Sequence, residues 1–199
     1  MIAKTKLVHN AWIYSIGGFF PKVLSYLLLP LYTAHLSTAN YGNFDILMVT
    51  IGLLIPILTI SLPDAVYRFS ITEDERGRSK AFSTAVSIIL RNLFYFDCLA
   101  VLVILIFRFQ YSWLFFALAN ISIFSGVLTQ ALRATGKIVV FSMLQILSSM
   151  VMIVLNIFLI VFVGMKVEAL LLSNIFAEGM LILCVAYYLK IWSFFDITA

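Results

Sequence analysis

The 199-residue chain is 63% hydrophobic and only 11% charged, with a formal net charge of +4 and a mean hydropathy of +1.10. Soluble domains are roughly 45–50% apolar and about 25% charged, so this composition excludes an ordinary soluble domain. The basic residues are scattered through short connections rather than gathered on one face, which speaks for membrane topology and against a nucleic-acid partner.

In chain order the sequence predicts six apolar spans, each near the ~20 residues that a hydrocarbon core requires. Lys4 and Lys6 precede an apolar run in the manner of a signal peptide. Lys22 interrupts that run, however, and no small-x-small cleavage pattern follows, so it reads as a retained first span over 11–36 with Gly17, Gly18 and Pro30 as bend points. The second span covers 44–62 and carries Pro56. A mixed-charge connection over 64–80 comes next, expected as the only sizeable loop. The remaining spans cover 81–107, 112–132, 138–164 and 169–189. Helices are expected throughout, because lipid tolerates no unpaired backbone and these runs are too long and uniformly apolar for barrel strands. The expected fold class is an all-α membrane protein.

Lys4, Lys6, Arg68, Arg76, Arg78, Lys80, Arg133, Lys137 and Lys190 fall on one side of these spans, against Arg108 and Lys166 on the other. By the positive-inside rule both termini are expected in the cytoplasm. The outer connections, about 37–43, 108–111 and 164–168, are too short to house a catalytic domain and hold no nucleophile-and-base constellation, so no enzyme is expected. His9 and His35 stand alone, and Cys98 and Cys184 sit in apolar segments as small packing residues. No metal or cofactor is indicated.

Lys22, Arg91, Asp97 and Glu178 all lie within apolar spans. Each such charge costs about 2.5–3.5 kcal/mol at membrane depth and survives mainly where it faces a bundle interior or a wet cavity. Lys22 shares a face with Ser15, Gly18 and Ser25, and Arg91 continues a stripe through Ser83 and Ser87 at i, i+4, i+8. Asp97 lies roughly 240° round the helix from Arg91, so those two do not pair within one span. Two readings stay open. The four charges neutralise one another between helices, or Lys22 and Arg91 attract an anionic substrate while Asp97 or Glu178 takes up H⁺ or Na⁺ or serves as counter-ion. The fifth span carries Ser142, Gln145, Ser149 and Asn156 on one side, a stripe that serves either as helix–helix glue or as cavity lining.

Certain motifs carry a resemblance. The run from Pro21 to Thr33 (Pro-Lys-Val-Leu-Ser-Tyr-Leu-Leu-Leu-Pro-Leu-Tyr-Thr), then Leu36 and Tyr41-Gly42, resembles the first span of Wzx-type polysaccharide flippases. Ala65-Val66-Tyr67-Arg68-Phe69, the run from Leu132 to Lys137 and the run from Leu155 to Ile160 continue it in order. Such flippases belong to the multidrug/oligosaccharidyl-lipid/polysaccharide exporter superfamily. The resemblance implies six helices forming one lobe of a MATE-like flippase fold in the bacterial inner membrane. It also implies translocation of undecaprenyl-diphosphate-linked oligosaccharide repeat units for lipopolysaccharide or capsule, with Lys22 and Arg91 suited to the diphosphate. Members carry two lobes around the cavity, so the second is expected from a complementary six-helix partner or from a homodimer. The alternatives are a cation-coupled small-molecule exporter of the same superfamily and a non-transporting membrane fragment.

Overall fold

The computed structural model describes residues 19, 23, 24, 26–72, 75–107 and 110–189. Among these residues the chain is all-helical. Seven α-helices follow in order: α1 (Leu29–His35), α2 (Thr38–Thr59), α3 (Leu62–Thr72), α4 (Glu75–Phe107), α5 (Ser112–Ala134), α6 (Ile138–Ile157) and α7 (Val167–Leu189). Five stretches within them are long and apolar enough to cross a membrane, namely Thr38–Thr59, Phe82–Ile106, Ser112–Ala134, Ile138–Phe162 and Val167–Leu189. That is the build of a multi-pass membrane protein. They match the second to sixth expected spans. The first falls largely outside the described residues, with Lys22, Gly17 and Gly18 among those not described.

The region 64–80 is not the loop expected from its mixed charge. It is occupied by α3 and the first turns of α4. Pro63 and Asp64 stand in the first turn of α3, where a missing N–H costs nothing and a carboxylate meets the positive helix end. Val66 is buried at 2% exposure against the bundle, while Arg68 and Phe69 face out. Charge hid a periodicity that packing reads.

Each corner has a local cause. Ser37 caps α2 by accepting the Asn40 N–H at 3.2 Å. α2 ends where Ile60 and Ser61 enter the left-handed region at φ 51° and 54°. A helix end leaves its last carbonyls without partners, and Asn92 on α4 donates to the Leu58 carbonyl at 2.8 Å. Among the described residues, glycine takes the two other positive-φ positions. Gly136 (φ 75°) closes α5. Gly164 (φ 76°) ends the wider π-helical turn Phe158–Phe162 that extends α6, with the Met165 N–H on the Leu159 carbonyl at 3.0 Å.

α5 and α7 form the centre, packed on each other, with α6 against α7 and with α2, α3 and α4 against α5. In lipid no hydrophobic drive joins helices, so close approach and polar bonds must do it. Ala119, Ala169, Ser173 and Ala177 are accordingly small and buried where these helices meet. Outward positions are large and apolar. Ile46, Val49, Leu53 and Ile57 form one exposed stripe on α2, as a lipid-facing helix requires.

Candidate functional site

Two adjoining cavities lie within the bundle. The first, of about 360 Å³, opens at the end holding Arg68, Arg133 and Lys137, and is bounded by the α2–α3 corner, α5 and the start of α6. The second, of about 290 Å³, lies deeper between α5, α6 and α7. Gly126, Thr129 and Gln145 line both.

At the mouth a chain of side chains runs across the helices. Gln130 donates to Asp64 at 2.9 Å, and Arg133 donates to the Gln130 carbonyl oxygen at 2.7 Å. The Arg133 guanidinium also lies over the Tyr67 ring at 4.8 Å and the Phe141 ring at 5.6 Å. Aromatic faces hold a guanidinium in a fixed plane while leaving its edge for an anion.

Glu178 faces the deeper chamber, eleven residues from either end of α7, about 16 Å along the axis. Its carboxylate accepts from the Ser125 hydroxyl at 3.0 Å. Gln145, Ser148, Ser149 and Asn174 complete the polar lining.

The fifth-span stripe therefore divides. Gln145 and Ser149 line the chamber. Asn156 does not: it is 1% exposed, donates to the Tyr32 hydroxyl at 3.1 Å and accepts from Ser173 at 2.7 Å, tying α1, α6 and α7 together. Ser142 is buried, and its hydroxyl oxygen has no hydrogen-bond partner among the described residues.

The intramembrane charges also separate. Lys22 lies outside the described residues. Arg91 is on the exposed face of α4, lines neither of these cavities and makes no ion pair among the described residues. Asp97 accepts from Asn120 at 2.9 Å, joining α4 to α5 outside both cavities. Of the four, Glu178 alone lines either of these two cavities.

Sequence reasoning missed Ser122, Ser125 and Thr129, which recur at +3 and +4 on α5 as regularly as the stripe read on the fifth span. It also missed Asn174, one turn before Glu178. Arg133 enters the sequence reading as a positive-inside charge and within the run from Leu132 to Lys137, and Asp64 only as the start of the mixed-charge connection. Comparison with family models, with curated proteins and with solved structures finds no match for this chain.

Proposed function

We propose that the chain is one lobe of a membrane translocator whose cargo is an undecaprenyl-diphosphate-linked oligosaccharide. In this reading the cargo moves from the cytoplasmic to the periplasmic leaflet of a bacterial inner membrane, for surface polysaccharide assembly. The observation that carries the reading is a pair of adjoining cavities in a lipid-facing helical bundle, the outer one at the basic end and the deeper one lined by hydroxyls, amides and Glu178. Hydroxyls and amides lining a cavity at membrane depth suit sugar hydroxyls, which otherwise lose their hydrogen bonds there. Arg133, held flat at the mouth, suits a diphosphate through charge-assisted contacts. The exposed Arg91, with Lys22, belongs in this picture to the wall facing a complementary six-helix lobe or a second copy. The reading takes the basic end as cytoplasmic, as the positive-inside rule directs.

The test is complementation. Deleting the gene in its own host removes surface polysaccharide and accumulates the lipid-linked precursor, and the chain supplied in trans restores the wild-type glycan. Arg133→Gln restores it poorly at unchanged membrane abundance. An unchanged glycan after deletion, or equal restoration by Arg133→Gln, overturns the reading.

A further inference from the structure

Hydrogen bonds between helices fix the depth of Arg91. Asp97 on α4 meets Asn120 on α5. Six residues back from Asp97 and six on from Asn120, Arg91 comes level with Gly126. Gly126 lies eight residues short of Ala134, where α5 closes at the basic end, a distance of about 12 Å. The bond from Asn92 to the Leu58 carbonyl sets the same level at the end of α2. Arg91 thus stands well inside the apolar bundle, on the exposed face of α4. Its stem lifts the charge over only part of that distance.

The chain has nine acidic residues, and none of those described faces Arg91. Asp64 is spent on Gln130 and Asp97 on Asn120. Glu178 stands near the same level but lines the chamber between α5, α6 and α7, where it accepts from Ser125. Asp45 is fourteen residues from the inner end of α2, about 21 Å away. Glu168 is in the first turn of α7, at the end of the bundle opposite Arg133. Glu75 opens α4 sixteen residues before Arg91, about 24 Å along the helix. Glu73, Asp74 and Asp196 lie outside the described residues. Residues 1–28 contain no acid at all, so the first apolar span brings none.

The surface around Arg91 is also unlike the other outward faces. Those of α2 (Ile46, Val49, Leu53, Ile57) and α6 (Met143, Leu147, Met150, Val154) are apolar and suit lipid. On α4 the exposed residues Lys80, Thr84, Ser87, Arg91, Phe94 and Cys98 recur at alternating four and three, the line along which a second helix packs. Thr84 and Ser87 are small enough for close approach there. The Ser87 hydroxyl is already satisfied by the Ser83 carbonyl at 2.8 Å. What the line leaves unanswered is the charge of Arg91.

From this we infer that the basic-end half of α4 docks a membrane helix of a different chain, one that carries a carboxylate level with Arg91. Charge complementarity selects that occupant, because a charge at this depth survives mainly where it is paired. A second copy does not fit. Two copies inserted the same way are related by an axis along the membrane normal, so equal depths meet. Arg91 then opposes Arg91, and no described acid of the copy stands exposed at that level. The inference rests on the one-lobe reading and chooses between the two partners which that reading admits.

The full chain is expressed in its own host with a photo-crosslinking amino acid at Thr84, at Ser87 or, as a lipid-facing control, at Leu53. Adducts from the irradiated membranes are identified by mass spectrometry, and the membrane abundance of every variant is read alongside. One protein is expected at Thr84 and Ser87 and not at Leu53, cross-linked through a membrane helix that contains Asp or Glu. Arg91→Glu lowers the yield at Ser87 by about tenfold or more. Replacing the partner's carboxylate by Arg restores the yield with Arg91→Glu and lowers it with the wild-type chain. If Arg91→Glu does not accumulate, Arg91→Gln takes its place and lowers the yield in the same direction. An adduct of the chain with itself, or co-purification of two differently tagged copies, overturns the inference. So do adducts with phospholipid or lipid-linked saccharide alone, a partner helix without a carboxylate, or a yield indifferent to the charge of residue 91. Surface polysaccharide is scored apart from the adducts. A charge-matched partner without transport removes the cargo reading alone, and transport without such a partner removes this inference alone.

Discussion

Asn156 and Glu178 are both polar residues deep in apolar helices, and the protein uses them differently. Asn156 spends its amide on Tyr32 and Ser173 and is fully enclosed. Membrane hydrogen bonds of this kind are worth about 0.6–1.7 kcal/mol in double-mutant cycles. Asn156→Ala should destabilise the chain by about 1–2 kcal/mol, and a cycle with Tyr32→Phe should recover about 0.6–1.7 kcal/mol of coupling in unfolding from detergent. A coupling near zero would mean that the bond does not join α1 to the bundle. At this scale the sequence was legible only in part. A stripe of Ser, Gln and Asn states that a helix face is polar, but not what answers it. Ser87, on an exposed face, is answered by its own helix through the Ser83 carbonyl at 2.8 Å. Whether a hydroxyl bonds backward, sideways or into a chamber depends on neighbours about 20–130 residues away, which no single-helix period encodes.

At the scale of elements, the α2–α3 corner is where local preference and tertiary demand disagree most. A β-branched residue in the left-handed region is an outlier that surrounding structure must enforce. Ile60 is 67% exposed, so its side chain gives back little packing for that strain. The enforcement comes from both sides: Asn92 holds the Leu58 carbonyl, and the Ser61 carbonyl accepts the Asp64 and Ala65 N–H groups at 3.2 and 3.3 Å. Ile60→Gly should therefore stabilise the chain by about 1 kcal/mol, since left-handed backbone costs an L-residue about 1–2 kcal/mol and little is lost with the side chain. Asn92→Ala should destabilise by about 1 kcal/mol through the orphaned carbonyl. Thermal unfolding of both variants checks the signs. The sequence could not show this corner, because Ile-Ser lacks the glycine that normally marks a positive φ. It also hid α3, whose Arg68 faces outward and whose Asp64 meets Gln130 on α5, a mixture of charges that looks like a loop when read without the surface it packs on.

The whole molecule sets a hydrophobic exterior against a polar interior track, and two residues test whether that track is used. Arg91 lies nine residues inside Phe82–Ile106, about 13 Å from its start, on an exposed face. On insertion scales a charge at that depth costs about 2.5–3.5 kcal/mol, so Arg91→Leu should raise membrane abundance if the residue has no partner beyond the described chain. Loss of polysaccharide at raised or unchanged abundance would instead assign Arg91 to the facing wall of the cargo path.

Gly126 gives the sharper separation. It stands where mouth and chamber meet, and a Cβ placed on it finds nothing within 4 Å. Glycine inside a helix costs about 0.5–1 kcal/mol relative to alanine. Gly126→Ala should therefore raise stability by up to that amount, and Gly126→Leu should fold as well while filling the junction. If the two cavities form one path, transport of the lipid-linked saccharide falls in the order glycine, alanine, leucine as melting temperature holds or rises. Transport that is indifferent to Gly126→Leu would make the two cavities separate pockets. In that case the polar lining would have to be explained as packing between α5, α6 and α7 alone.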